Sequence, residues 1–292
     1  MAYEKVTLLG TGLMGLPMAR NLAAAGVTMT VWNRTAAKAA LLEAHGARVA
    51  HTLTDAVSGT DIVISMLSDG PPVLAVIDEV AAVLRDGALW VDMSSTKPEE
   101  ARAQAAALAR VGVNHLDAPV SGGTKGAEAA SLAIMVGGGM ADLVRARPVL
   151  EQMGRPVHVG PSGSGQLSKL CNQAIVAVTI GAVAEAMLLA EKGGADPAAL
   201  RAALKGGFAD STILQQHGER MTTGNFVPGG LSKFQVKDLD NVLVEARAAG
   251  VTLPMVEDVR ARFAHFVDNM GGADKDHSGL YLELRERNGL PT

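Results

Sequence analysis

Aromatic residues make up only 3% of this 292-residue sequence, and it contains a single cysteine. The first scarcity means that the core is aliphatic, drawn from the Ala, Val, Leu and Met that dominate a 48% apolar composition. The second excludes an intrachain disulfide framework and fits a reducing, cytoplasmic setting. Charge is also sparse: Lys and Arg total 26 against 30 Asp and Glu, a net −4. That balance offers no general electrostatic attraction to nucleic acid or to an anionic membrane. Met1-Ala-Tyr-Glu-Lys5 runs straight toward a strand, without the basic segment and apolar run of a secretion signal. The longest apolar stretch, Ala174 to Ala190, is just short of a membrane span and carries Thr179 and Glu185, so it reads as a core helix. No metal-ligand set is visible: Asp274-Lys-Asp276-His277 lacks a second cluster and reads as a helix cap. Gly160 to Gly165 imitates a Walker loop, but Gln166 stands where that loop requires lysine. There is no heptad run and no internal repeat.

What is present begins at residue 5. A short aliphatic strand, Lys5 to Leu9, ends at Gly10-Thr11-Gly12-Leu13-Met14-Gly15, and a helical pattern follows until Gly26. This is G-x-G-x-x-G after a strand and at the start of a helix, the context that makes it a dinucleotide fingerprint. Gly10 permits the tight turn, Gly12 the close approach of a pyrophosphate, and Gly15 tight helix–strand packing. The phosphates then meet the free N–H groups at a helix N-terminus. At the end of the next strand, Thr28 to Trp32, an NAD site wants a carboxylate for the ribose 2′-hydroxyl. Here the chain reads Asn33-Arg34-Thr35. No acid repels a 2′-phosphate, Arg34 can meet one with its planar fork, and Asn33 and Thr35 can donate hydrogen bonds. NADP(H) is therefore expected in preference to NAD(H).

Strand and helix then alternate, with helices at 35–45, 72–84, 98–111 and 141–152 and strands near 47–49, 61–67, 88–93, 115–118, 132–136 and 156–159. The alternation predicts a doubly wound parallel sheet with ligands at the carboxyl ends of its strands. The loops there are Met66-Leu67-Ser68, Ser94-Ser-Thr96 and Pro119-Val-Ser121-Gly122-Gly123. The last offers a hydroxyl and successive backbone N–H groups, a nest for a carboxylate. Past Gly165 strand signals stop and helices are expected at 166–193, 197–205, 211–218, 231–249, 254–270 and 279–287. The fold class is α/β: an N-terminal doubly wound Rossmann domain, residues 1–162, followed by an all-α C-terminal domain, residues 163–292. The long apolar helix needs more cover than a small helical domain supplies, so a homodimer or homotetramer is expected.

Two helical faces stand out. Lys169 and Asn172 in Gly163-Ser-Gly-Gln-Leu-Ser-Lys169-Leu-Cys-Asn172 lie three apart, and Cys171 points away from them. A lysine at the head of a largely buried helix is either a stem packed with its head in water or a group with a chemical task. Phe234, Lys237 and Asp238 share another face, which is either a solvated charged surface or part of a site.

Together these residues resemble the β-hydroxyacid dehydrogenases, which include 3-hydroxyisobutyrate dehydrogenase, tartronate semialdehyde reductase and the glyoxylate/succinic semialdehyde reductases. The resemblance covers essentially the whole chain. It rests on Gly10 to Gly15 running into Met18-Ala-Arg-Asn21, on Asp117-Ala-Pro-Val-Ser121-Gly-Gly, on Gly163 to Asn172, and on Lys237-Asp-Leu. It implies that Lys169 is the catalytic acid/base and that Asn172 helps to hold a small oxo or hydroxy acid. Ser121, Gly122 and Gly123 would take the substrate carboxylate. Leu67, Ser68, Thr96 and Lys237 would touch the cofactor, with Lys237 near both ligands. Two positions depart from the pattern: Ser68, where many relatives have proline, and Asp240, where many have a small residue. Asn33-Arg34-Thr35 resembles the NADP-preferring branch, and Gln216 to Arg220 with Asp276-His-Ser leans toward tartronate semialdehyde reductase.

The implied chemistry is reversible hydride transfer from NADPH to the aldehyde carbon of a short oxo acid, with Lys169 protonating the oxygen. The helix N-terminus and partial burial favour the lysine's neutral form, as such catalysis needs. Imine reductases look similar in the cofactor half but usually lack a lysine at this place. A non-catalytic cofactor-binding module is the remaining class, since a Rossmann fold alone proves no chemistry. Ser121, Lys169 and Asn172 together favour catalysis.

Overall fold

A computed structural model describes residues 4–292. Met1 to Tyr3, and the reading of the N-terminal segment that depends on them, lie outside the described residues. The chain forms two compact units, one ending at Lys169 and the other running from Leu170 to Thr292.

The first unit is built on one sheet. Its opening strands are β1 (Val6–Leu9), β2 (Met29–Trp32), β3 (Arg48–Val49), β4 (Ile62–Ser65), β5 (Leu89–Asp92) and β6 (Asn114–Asp117). They stand in the order β3-β2-β1-β4-β5-β6, all parallel. β1, β4 and β5 are buried at every residue, which is why they read as unbroken apolar runs. Successive side chains point to opposite faces, so Leu8 joins one apolar core with Val31 and Ile64 while Leu9 joins another with Val63 and Trp90. The order reverses between β1 and β4, placing the ligand crevice at their carboxyl ends. Beyond β6 the sheet ceases to be purely parallel. β7 (Val120–Ser121) and β8 (Leu132–Gly138) pair antiparallel, β8 is also antiparallel to β6, and β9 (Gly154–Gly160) runs parallel to β8.

The helices of this unit are α1 (Gly15–Ala24), α2 (Ala36–Ala40), α3 (Leu53–Val57), α4 (Gly70–Val80), α5 (Pro98–Ala109), α6 (Gly123–Glu128) and α7 (Met140–Leu150). The single helix expected over 35–45 is instead α2 followed by a 3-10 turn, Glu43–His45. Leu42 and His45 bond three residues back rather than four, a tightening that turns Leu42 fully into the core.

α8 (Ser164–Lys192) continues through the boundary between the units. It is long and apolar enough to cross a membrane by length and composition. In this fold Ala177, Ile180, Ala184 and Met187 of α8 are buried in the core of the second unit, with Leu239 and Phe263. That unit continues with α9 (Pro197–Leu204), α10 (Thr212–Thr223), α11 (Ser232–Ala248), α12 (Pro254–Asn269) and α13 (Leu280–Arg287). Asp196 caps α9 by accepting from Ala198 N, with Pro197 opening the helix. The expected stop at Gly218 is not one: α10 runs on to Thr223 and ends at Gly224, whose φ is +68°. Gly218 is there for packing, since a Cβ would collide with the Arg201 side chain.

Candidate active site

The site residues of the first unit begin where β1 ends. Gly10 has φ +100°, and a Cβ on it would collide with the carbonyl oxygen of Met66. A Cβ on Gly15 would collide with the carbonyl oxygen of Gly10, while Gly12 faces open space. The loop is thus tight where helix must meet strand and open where a pyrophosphate would approach, a fit to a dinucleotide. Leu13 is exposed and Met14 packs against the core. Gly15→Ala should cost about 1–3 kcal/mol of overpacking in this loop. NADPH binding, followed by cofactor fluorescence, should weaken about tenfold or more; an unchanged Kd would show that the loop can give way.

Asn33 holds this loop from the end of β2. Its Oδ1 accepts from Thr11 N at 3.0 Å, and its Nδ2 donates to Thr35 O at 3.0 Å. The side chain thus ties the glycine turn to the following strand end, and its amide has a second N–H beyond the one given to Thr35. Arg34 and Thr35 are exposed beside it, and no acidic residue occurs between 33 and 38.

The next strand ends are tied by a buried carboxylate. Asp92 Oδ1 accepts from Ser65 Oγ at 2.8 Å and from Ser94 N at 3.1 Å, and Ser94 Oγ accepts from Leu67 N at 2.9 Å. Loop 66–68 and loop 94–96 are thereby fixed to each other. Burial pushes the Asp92 carboxyl from 3.8 to about 6, against hydrogen bonds from Ser94 and Ser65 that lower it. Nearby, Nε2 of buried His115 lies 3.1 Å from Gln104 Oε1, and burial drives the imidazole from 6.5 down to about 3.

These two groups act on stability with opposite signs. Asp92 binds its proton more readily folded than unfolded, so its contribution is full below 3.8 and is lost as pH rises through about 6. The His115 contribution is full above 6.5 and is lost as pH falls toward 3. Asp92→Asn removes only the first. The urea midpoint of this unit should then fall more steeply between pH 6 and 3.8 than in the wild type. Trp32 and Trp90, the only tryptophans, both lie in this unit and report its unfolding. Equal slopes would mean that Asp92 titrates as an ordinary carboxylate.

Ser121 ends β7, half-buried, and is followed by Gly122 (φ +138°) and Gly123 (φ +62°), both exposed. Such conformations favour glycine. Ser68 is exposed and Thr96 is buried, its N–H donating to Gln166 Oε1 at 3.0 Å. Asp117, at the end of β6, takes the opening of α8: Oδ1 accepts from Gly163 N at 2.8 Å and Oδ2 from Gln166 N at 2.9 Å. Burial raises the Asp117 carboxyl above its usual range, and these N–H groups draw it back. A Cβ on Gly165 would collide with the carbonyl oxygens of Asp117 and Met135, so glycine is needed for this close docking. Lys169 lies one turn further on, half-buried, while Cys171 is exposed.

In the second unit, Asn172 Nδ2 donates to Gln173 Oε1 at 2.9 Å, and Gln173 Nε2 donates to Asp238 Oδ2 at 2.6 Å. Asn172 and Asp238 are therefore brought together through Gln173. Lys237 is half-buried on α11 and Phe234 is exposed, with Lys233 Nζ 5.7 Å from its ring centroid. Asp240 forms a two-pronged ion pair with Arg260 on α12, at 2.7 and 3.1 Å, which gives that unusual acid a structural partner. His217, Asp276 and His277 bring their ligand atoms within 4.8 Å of one another. Asp276 is the expected cap: Oδ1 accepts from Ser278 N and Oγ, and Oδ2 from Gly229 N and Gly230 N.

Asp92, Asp117, Gln166 and Gln173 carry no role in a sequence reading, because each acts on a segment distant in sequence or on a neighbour whose orientation only the fold reveals. Fold and glycine loop together define a Rossmann dinucleotide-binding protein with an added helical unit. The family model described as the NAD binding domain of 6-phosphogluconate dehydrogenase matches residues 5–161. A second, described as NAD-binding of NADP-dependent 3-hydroxyisobutyrate dehydrogenase, matches residues 163–284. The chain is 41% identical to 2-hydroxy-3-oxopropionate reductase of Escherichia coli (strain K12), over 96% of this chain and 97% of that protein. It is similar to the solved structure of Mycobacterium tuberculosis 3-hydroxyisobutyrate dehydrogenase with L-serine. That likeness has TM-score 0.88 and 35% identity, covering 97% of this chain and 99% of that one. An imine reductase from Pseudomonas sp. shares the fold at TM-score 0.62 and 19% identity, covering 97% and 99%. The chain belongs to the β-hydroxyacid dehydrogenase family and is an oxidoreductase with a nicotinamide dinucleotide cofactor.

Proposed function

We propose that the protein is an NADPH-preferring reductase of a short carboxylate-bearing aldehyde, of the tartronate semialdehyde, glyoxylate or succinic semialdehyde type, yielding the hydroxy acid. The observation that carries this reading is Lys169 on a helix whose opening turn is anchored by Asp117 and Gln166, in a chain this similar to a 2-hydroxy-3-oxopropionate reductase. The reduced nicotinamide supplies the hydride to the carbonyl carbon. As the carbon–oxygen π pair moves onto oxygen, the Lys169 ammonium gives up a proton to it, and the oxidation runs the same path backward. Ser121, Gly122 and Gly123 take the substrate carboxylate, and Asn172, held by Gln173, orients the substrate. Lys237 and Asp238 are further candidate substrate contacts.

Arg34 supports the preference for NADPH, being exposed at the end of β2 with no acid beside it. A homodimer or homotetramer is proposed as well. Ile175 and Leu189 of α8 are exposed, and an apolar groove of 410 Å³ lies between α8 and Thr252–Val256. A single cysteine supports a cytoplasmic setting. The test is kcat/KM with NADPH and NADH across tartronate semialdehyde, glyoxylate, succinic semialdehyde and a cyclic imine. The semialdehydes with NADPH should lead; a cyclic imine ahead of every aldehyde would overturn the reading.

A further inference from the structure

We propose that Gln166 is a positioning residue for Lys169, setting where the catalytic helix stands relative to the loop on the cofactor side. The inference rests on the reading of Lys169 as proton donor. Gln166 is fully buried, and both ends of its amide are engaged by one loop: Nε2 donates to Ser94 O at 2.8 Å, and Oε1 accepts from Thr96 N at 3.0 Å. Its own backbone N–H donates to Asp117. One residue therefore joins the head of α8 to two strand ends, β5 through loop 94–96 and β6 through Asp117.

The division of labour follows from geometry. Asp117 holds two backbone N–H groups close to the axis at the helix end, which chiefly fixes its depth. The Gln166 side chain projects from the helix and is clamped farther from the axis, where a bond has more leverage against rotation. Lys169 lies three residues later, about 4.5 Å along the axis and on the same face. Any turn of the helix at Gln166 is carried to Lys169, because one helical turn is stiff. The clamped loop also holds Thr96, one of the expected cofactor contacts, and Ser94 binds Leu67 N. Gln166 thus sets the proton donor and the cofactor-side loops in one frame. A misplacement of about 1 Å costs on the order of a hundredfold in rate.

Two variants separate positioning from mere packing. Gln166→Leu keeps the volume and removes both side-chain hydrogen bonds. Gln166→Glu keeps the shape: when protonated, its hydroxyl donates to Ser94 O and its carbonyl accepts from Thr96 N, whereas the ionised form repels Ser94 O. Turnover with NADPH and tartronate semialdehyde is measured from mildly acidic to mildly alkaline pH, with Lys169→Ala alongside. Gln166→Leu should lose about a hundredfold in kcat with a much smaller change in KM for the aldehyde. The kcat of Gln166→Glu relative to the wild type should climb toward one as pH falls, a recovery that simple loss of packing does not produce. If Gln166→Leu does not fold, the Gln166→Glu profile decides alone. A Gln166→Glu ratio that is flat with pH, beside an inactive Lys169→Ala, overturns the positioning role and leaves the proposed function standing. A fully active Lys169→Ala overturns both.

Discussion

Replacing Lys169 with alanine should lower turnover about 10²–10⁴-fold, the usual contribution of a positioned general acid, and leave NADPH affinity nearly unchanged. The asymmetry follows from what the side chain does and does not hold. The opening of α8 is fastened by Asp117 and by Gln166. Those bonds remain when the lysine is truncated, so the helix head and the glycine loop should keep their places. What disappears is the proton for the oxygen as hydride arrives, so the loss falls on kcat. Lys169→Arg sharpens the test, because a guanidinium keeps the charge but does not release its proton near neutral pH. It should be nearly as inactive as the alanine variant. If either variant turns over tartronate semialdehyde at close to the wild-type rate, the proton comes from elsewhere.

Much of the fold is legible in the amino-acid sequence, for identifiable reasons. Parallel strands buried on both faces must be continuous apolar runs, so β1, β4 and β5 announce themselves. The glycine loop is recognisable because its spacing is confined to Leu9 to Gly15, although the atom that a Cβ on Gly10 would meet, the Met66 carbonyl oxygen, lies at another strand end. Asp196-Pro197 and Pro254 mark helix starts by chemistry confined to one turn. The reversal of direction at β8 is not legible, since a half-buried strand of Leu, Ile and Val carries no record of which neighbour it pairs with.

The hidden parts of the site are those where a side chain serves a distant backbone. Asp117 and Gln166 are 49 residues apart, and no periodicity connects a carboxylate at the end of β6 with the head of α8. In sequence, Gln166 stands out only as the residue that spoils a Walker loop. In the fold its amide is fastened at both ends and its backbone N–H is taken as well. Asn33 has a role that the sequence hides: besides any phosphate its amide could meet, it ties Thr11 N to Thr35 O. Asp240 has the look of a change at a pocket edge, and only the fold supplies its partner, Arg260 on the adjacent helix.

Arg34 brings the only positive charge at the end of β2 to a 2′-phosphate, and Arg34→Ala should weaken NADPH about tenfold or more while scarcely touching NADH. A guanidinium–phosphate contact is charge-assisted and two-pronged, typically about 1.5–3 kcal/mol. Arg34 is exposed, so the effect should shrink as salt is added, because screening acts fully on a solvated pair. That salt dependence separates direct recognition from an indirect disturbance of the turn, which would harm both cofactors alike and respond little to ionic strength. The measurement is Kd for each cofactor, by fluorescence titration at low and high salt. A selective, salt-sensitive loss assigns the 2′-phosphate to Arg34. An equal loss for NADPH and NADH makes Arg34 a structural residue of the β2–α2 turn, and the coenzyme preference would then have to arise at its neighbours and the backbone beside them.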